Sequence, residues 1–435
     1  MGEIMGRLNQ KLKVLFTNEI DLEVIANIML YSVILIMPFI VVNVSSPKYV
    51  LGKLMFLYII GIISIYLLIK LKLTKFNIYH KLALVFLVTI FIPSILSPYK
   101  SVAFMGNHER GEGFLIYCIY ILLFILSSKY LIINKSLLNI VLISSCIMGV
   151  YGVIQFYGFD PVQYWMFGKI IGNESIGFIG HRNFFSSYLC IFLFLSVSIY
   201  IFKGISKYLI YSCILFAALL CTLTRGGWLA FLIYSLMGAM FILKEKVYLK
   251  RAAIVFIAFS LIFGVLNLTT NNKVINRADK ELIISEEGEF KNSAGARLSI
   301  LKMSFKAFTD KPLLGYGPDT LKNRLTDDYP EEMMEHILKF NEVVDKSHNE
   351  YLEYAVSNGI FSLLLYSIFL GAILIKLFKN RKNYISKVLF LTISGYMIQG
   401  FFNISVIMVA PIFWILLGAS LKLVKDMNND IVKEI

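Results

Sequence analysis

Ser347-His348-Asn349-Glu350 leads without interruption into YLEYAVSNGIFSLLLYSIFLGAILIKL (351–377), a run long and apolar enough to cross a bilayer. It ends the one long polar stretch of the chain, and before and after that stretch apolar runs of about 18–25 residues recur along nearly the whole sequence. With 58% hydrophobic, 14% aromatic and only 16% charged residues, the chain is too apolar to be one soluble core. It reads as an all-α polytopic membrane protein with about 12 transmembrane helices and one large external loop. The expected spans are 24–44, 50–69, 80–97, 113–132, 136–157, 184–202, 206–223, 227–243, 251–268, 350–377, 385–403 and 406–424. Helices one to nine thus fall in residues 1–268, the loop in 269–347, and helices ten to twelve in 348–435.

Orientation follows from the basic residues. With the amino terminus inside, the inner segments hold most of them, including Lys70, Lys72, Lys75, Lys244, Lys246, Lys250, Arg251, Lys379, Arg381 and Lys382. The short outer segments hold only Lys48, Lys53, Lys100, Arg110, Lys169, Arg182 and Arg225. Both termini are therefore expected in the cytoplasm and the loop outside. The net charge of +14 then reads as a topology signal and a contact with anionic membrane lipid. No basic and aromatic face suggests nucleic acid. The polar lead before the first span, with Glu19, Asp21 and Glu23 against it, shows no small-residue cleavage pattern and does not read as a removable signal peptide. All five cysteines, Cys118, Cys146, Cys190, Cys213 and Cys221, fall inside expected spans as small core residues, so the loop has no disulfide and no thiolate metal site. No Gly-rich phosphate loop or HExxH motif is present; chemistry has to come from loops and helix ends.

Polar residues concentrate at four places on one face: Gly106-Asn107-His108-Glu109-Arg110-Gly111-Glu112-Gly113, Gly180-His181-Arg182-Asn183, Thr224-Arg225-Gly226-Gly227, and the loop with Arg297 and His348. Singly, Arg110, Arg182 and Arg225 read as readily as anchors to lipid headgroups. Together they point to a site. No carboxylate lies in the turn that holds Arg225, and the glycines beside it allow a close approach, which suits a guanidinium to a phosphate oxygen. Arg297 opens an expected amphipathic helix that starts near Asn292 and Ser293, presents Leu298, Leu301, Phe305 and Phe308 on one face and stops at Asp310-Lys311-Pro312. Ser347 and Glu350 have the spacing of a capping box, which places His348 at the first helical position. There the helix dipole would keep the imidazole neutral and attract an anion. His80, His108, His181 and His336 read as ordinary structural histidines.

The run from His348-Asn349 to Gly359 resembles the signature of the O-antigen ligase and O-antigen polymerase superfamily. Arg225 in TLTRGGWLAF, Arg297 in ARLSILKMSFKAF followed by DKPLLGYGPDTL, Asn183 in GHRNFFSSYL, and Arg110-Gly111-Glu112-Gly113 agree with it. His181-Arg182 stands where many relatives have a small or polar residue, and no second glycine follows Gly359. The resemblance implies a glycosyltransferase C type of membrane fold in the bacterial cytoplasmic membrane. It also implies a donor glycan on undecaprenyl diphosphate and a glycan, lipid or protein acceptor. In that family pattern His348 serves the acceptor hydroxyl as base and Arg225 and Arg297 hold the diphosphate, with no cofactor and no metal. Arg110, Arg182, Asn183 and Asn349 become further substrate-binding candidates. Ligase, polymerase and protein O-glycan transferase differ only in acceptor. A transporter or flippase of the same lipid would show repeated halves and helices broken at mid-membrane, and no internal repeat is visible.

Overall fold

The computed structural model describes residues 21–43, 47–72, 75–170, 174–279 and 293–428. Glu19, Asn292 and both termini, on which expectations were placed above, lie outside them. The described residues form helices and no strand. In chain order these are α1 Leu22–Leu35, α2 Leu51–Lys70, α3 Ile78–Leu96, α4 Lys100–Met105, α5 Phe114–Tyr130, α6 Lys135–Phe156, α7 Pro161–Phe167, α8 Arg182–Lys203, α9 Ser206–Cys221 and α10 Arg225–Ile242. There follow α11 Lys246–Thr269, α12 Lys273–Asp279, α13 Ser293–Asp310, α14 Leu321–Asp328, α15 Pro330–Phe340, α16 Glu350–Asn358, α17 Ile360–Lys379, α18 Tyr384–Gln399 and α19 Ala410–Asn428. Among the described residues eight segments, including α8, α10, α11 and α17, are long and apolar enough to cross a membrane by length and composition.

The expected spans 113–132, 206–223, 385–403 and 406–424 fall on α5, α9, α18 and α19, which do not meet that criterion among the described residues. α5, α18 and α19 are inner helices, most of whose residues are buried. A helix packed on protein all round has no lipid to match, so its length and polarity are freer. Trp414 of α19 sits among Phe86, Tyr120, Phe124 and Phe369, with ring centroids 5.4–6.3 Å away. Gly418 lets α19 lie directly on α5, since a Cβ there would fall 2.0 Å from Ser127 Oγ and 2.4 Å from the Phe124 carbonyl.

Expected span ten is not one helix. It breaks at Gly359 into α16 and α17, and Gly359 has a φ of +82°. The break is filled by the segment 312–317: the Ile360 amide donates to the Pro312 carbonyl (2.8 Å), and the Tyr316 and Gly317 amides donate to the Ser357 carbonyl (3.0 and 2.7 Å). The periodicity that suggested one span continues across the break, but a neighbouring backbone replaces the helical hydrogen bonds there.

Nor is 269–347 a loop with one helix. Its described residues form α12 to α15, and Ile300, Met303, Ala307, Leu321, Leu325, Tyr329, Met333 and Val344 make a small core closed by Val356 of α16. α13 forms as expected, but with another face inward. Ala296, Ile300, Met303 and Ala307 are buried, whereas Leu298, Leu301 and Phe305 are 46%, 36% and 58% exposed. Ile300 and Met303 fill the core while Ala296, Ser304 and Ala307 let the helix lie close to its neighbours, and of the expected inward residues Phe308 alone packs against that core.

Gly359→Ala is expected to destabilise the fold, because its Cβ would lie 1.9 Å from the Leu313 carbonyl oxygen. Backbone strain alone should cost about 1–3 kcal/mol before that clash is counted. Gly238→Ala, where nothing lies within 4 Å, is the control. Thermal unfolding of the two purified variants in one detergent compares them, and equal midpoints would contradict the account.

Candidate active site

The first turns of α8 and α10 lie at the end of the bundle covered by α12 to α15, and a cavity of about 630 Å³ opens between them. It is lined by Arg182, Asn183 and His181 from the start of α8, Arg225 from the start of α10, Arg297 from α13, and His348. Arg277 of α12, Glu342 and Phe402 complete the wall. Two expected residues are elsewhere. Arg110 does not line the cavity; its Nε donates to Asp345 Oδ2 at 2.5 Å and its guanidinium lies 5.1 Å from the Phe184 ring centre. Asn349 caps α16, its Oδ1 accepting from the Tyr351 and Leu352 amides, both at 3.0 Å.

Each cationic side chain is held by its element. Arg225 follows a tight turn in which Leu223 has a φ of +53° and the Thr222 and Thr224 hydroxyls meet at 2.7 Å. The glycines after it do admit a close neighbour, but the neighbour is the protein. A Cβ at Gly226 would lie 2.7 Å from Phe402 Cβ, and one at Gly227 would lie 2.0 Å from Ser186 Oγ. The contact at Gly227 seats α10 on α8 and brings Arg225 near Arg182, while that at Gly226 packs the turn on the segment after α18. Arg182 pairs with Glu174 (2.9 Å), and Arg277 Nε donates to the Leu223 carbonyl (3.3 Å). Burial, then the charge of Arg182, lowers the Arg297 pKa, while Glu342 opposes the shift. Burial and the same Arg182 lower that of Arg277. Guanidinium groups crowded so that they repel one another make a strongly positive wall, the arrangement a polyanion relieves.

His348 is not in the first turn of a helix. It has a φ of +51° and precedes the cap residue, so the expected capping box does not form. Ser347 is taken elsewhere: its amide and its hydroxyl both donate to Glu353 Oε2, at 2.8 Å each. Glu350 accepts from the Tyr366 hydroxyl at 2.6 Å instead of reaching back. The imidazole is neutral for another reason than the dipole. Burial lowers its pKa below 6.5, Arg297 and Arg110 add to that, and Asp345 and Glu342 oppose it. Nε2 stands 3.9 Å from Glu342 Oε1. His181 beside it is lowered to about 3, by burial first and then by Arg110, His348 and Arg182.

Behind His348 lies a buried ion cluster. Lys346, 2% exposed, reaches Asp319 at 3.2 Å, Glu353 at 3.5 Å and Glu112 at 3.6 Å. Asp319 Oδ2 also accepts the Asn107 and Glu112 amides (2.6 and 3.1 Å), and Glu112 Oε1 accepts the Ser405 and Tyr120 hydroxyls (2.7 and 3.1 Å). Burial pulls the Lys346 pKa down, but the three carboxylates outweigh it and hold it above the usual lysine value. Burial raises the pKa values of Glu112 and Asp319 against the pull of Lys346. No local pattern in the sequence marks the cluster. Arg277 was likewise missed, having no motif around it.

Residues 210–367 match the O-antigen ligase family (Wzy_C), an interval that contains Arg225, Arg277, Arg297, Lys346 and His348. No curated protein matches the chain.

Lys346→Met should cost about 3–5 kcal/mol of stability, because it leaves three buried carboxylates without their cation. Adding Glu112→Gln to that variant should restore part of the loss. Unfolding midpoints of wild type, single and double variants check this, and an unaffected single variant would refute the role given to the lysine.

Proposed function

Because the chain belongs to the O-antigen ligase superfamily, we propose that it is a membrane glycosyltransferase. It moves a glycan from undecaprenyl diphosphate to an acceptor hydroxyl at the outer face of the bacterial cytoplasmic membrane, in the manner of an O-antigen ligase. The about twelve helices cross with both termini inside and the segment 269–347 outside. The observation that carries this reading is the convergence of Arg182, Arg225, Arg277 and Arg297 with a buried, neutral-leaning His348 on one cavity.

The chemistry suits that wall. The acceptor oxygen attacks the anomeric carbon, and the bond from that carbon to the diphosphate oxygen breaks with its electron pair leaving on the diphosphate. His348 takes the hydroxyl proton. Guanidinium groups in fixed positions stabilise the departing anion as its charge grows, a task that a metal ion performs in other transferases. Polymerase and protein glycan transferase activities would use the same cavity with another acceptor.

Arg225→Ala and Arg297→Ala should each cripple transfer in inserted protein, and Arg225→Lys should not fully rescue, since a point charge does not replace a two-pronged donor. His348→Ala should stop turnover yet spare donor binding, and chelators should leave the wild type active. In wild type, transfer should fall only below pH 6.5, because a lowered imidazole pKa keeps the base neutral down to that value. Turnover and lipid-donor binding measured on the purified variants settle these points. Wild-type turnover in His348→Ala, or a chelator loss that added metal restores, would remove the mechanism.

Orientation is tested separately at Leu338, which is 80% exposed on α15. In a chain without its five cysteines, Leu338→Cys should react with an impermeant maleimide in intact cells. Labelling only after lysis would reverse the topology.

A further inference from the structure

One charge in the cavity of His348 runs against the rest. Among the described residues that line it, Arg182, Arg225, Arg277, Arg297 and Lys339 are cationic and Glu342 alone is acidic. Its Oε1 stands 3.9 Å from His348 Nε2. We propose, on the reading that the chain is a glycosyltransferase, that Glu342 is a positioning residue for the transfer step. Its carboxylate faces the imidazolium that His348 becomes on taking the acceptor proton, and so favours Nε2 as the accepting nitrogen.

Local geometry brings the pair together. α15 ends at Asn341, whose φ of +53° is a left-handed turn that asparagine adopts more readily than most residues, and whose amide donates to the Ile337 carbonyl at 2.8 Å. Glu342 follows directly. The chain turns left-handed again at His348, and the two side chains meet across the bend. His348 Nδ1 is shut off from solvent and has no partner in the protein, so Nε2 is the nitrogen that can meet a substrate hydroxyl. For Nε2 to accept, the resting ring carries its own proton on Nδ1.

As the acceptor oxygen attacks, its proton passes to Nε2, and the new positive charge forms beside Glu342. The proton then leaves to water on the side where Glu342 is half exposed. Without that carboxylate the charge would form against Arg297 of α13, Arg110 before α5 and His181 at the start of α8. Asp345 is the other carboxylate that faces the ring, and Arg110 already engages it. The arrangement lowers donor affinity, since a carboxylate in the cavity repels a diphosphate. A competing role for Glu342 is to hold Arg297, whose charge it supports. That role would tighten donor binding, so the two predict opposite signs.

The test uses the full-length protein in nanodiscs and compares wild type with Glu342→Gln and Glu342→Asp, each checked by thermal unfolding. Lipid-linked glycan extracted from the same cells is the donor, and envelope from a strain lacking the protein is the acceptor source. Undecaprenyl diphosphate without glycan is the binding probe. NMR of labelled histidines, assigned with His348→Gln, reads the imidazole directly. In Glu342→Gln, kcat should fall about tenfold, the effect of losing one nearby counter-charge. The acidic limb of the rate profile and the His348 titration should both move to lower pH, because a carboxylate that raises the imidazole pKa is gone. The probe should bind severalfold tighter. Glu342→Asp keeps the charge and should restore part of each. An unmoved limb and titration, whether or not kcat falls, would overturn the proposal and leave the transferase reading standing. Weaker probe binding with an unmoved limb would overturn it in favour of the pairing with Arg297. A wild type that turns over no donor, with a His348 titration that still moves in Glu342→Gln, would overturn the transferase reading and keep the pairing of the two side chains.

Discussion

The contact on which the site depends is the buried ammonium of Lys346 among Glu112, Asp319 and Glu353. Its carboxylates come from three separate segments: the turn before α5, the segment that fills the helix break, and α16 itself. Charges taken out of water are held only where each partner is also hydrogen-bonded. Here Asp319 takes two backbone amides, Glu112 two hydroxyls, and Glu353 the amide and hydroxyl of Ser347. The arrangement is all or nothing, since a shift of any one segment leaves a buried charge uncompensated. His348 sits two residues from the lysine and inherits its position from this arrangement. Arg110, two residues from Glu112, tightens the same junction by pairing with Asp345.

That placement decides the state of the imidazole. A histidine in a first helical turn would be kept neutral by the dipole of one helix, an effect of about 0.3–1 kcal/mol at an exposed position. Burial against a wall of guanidinium groups acts in the same direction and is the larger cause here, with Asp345 and Glu342 opposing it. The same burial lowers His181 to about 3, so two neighbouring imidazoles are neutral at physiological pH. A neutral histidine can accept a proton, and Arg297, which helps to keep it neutral, is also one of the guanidinium groups suited to hold a diphosphate.

Much of this was legible in the sequence, and the limits have physical causes. Each expected span overlaps helix because apolar length is a strong signal, although the first helix stops at Leu35 and span ten is broken at Gly359. Arg182, Asn183, Arg225, Arg297 and His348 were found because polar residues beside apolar runs stand out, and the structure gathers them on one cavity. The cap of α16 was misplaced because Ser347 and Asn349 are both capping residues. The choice fell to Asn349 because Glu353, six residues on in the first turn of α16, engages Ser347. The inner face of α13 differs from the expected one because two apolar rows repeat at helical spacing, and tertiary packing selects the row with Ile300 and Met303 over that with Leu298 and Leu301. Arg277 and the Lys346 cluster depend on tertiary neighbours alone, which no local pattern encodes.

The run DKPLLGYGPDTL then acquires a physical reading. Pro312 receives the amide of Ile360 where the helix stops, and Gly315, with a φ of +63°, passes so close to Ser357 that a Cβ would lie 2.3 Å from its carbonyl oxygen. Only a residue without a side chain fits there. Beyond Gly317 the segment delivers Asp319 to Lys346. The break at Gly359 and the buried cluster are therefore two ends of one short strap. It ties the cap formed by α12 to α15 to the helix pair α16 and α17, and His348 lies between cap and bundle. A continuous helix through Gly359 would offer the strap no free carbonyl at Ser357. The break thus belongs to the support of the cavity and not to a passage through the membrane, which favours a fixed site at the surface over a carrier that rocks about its broken helices.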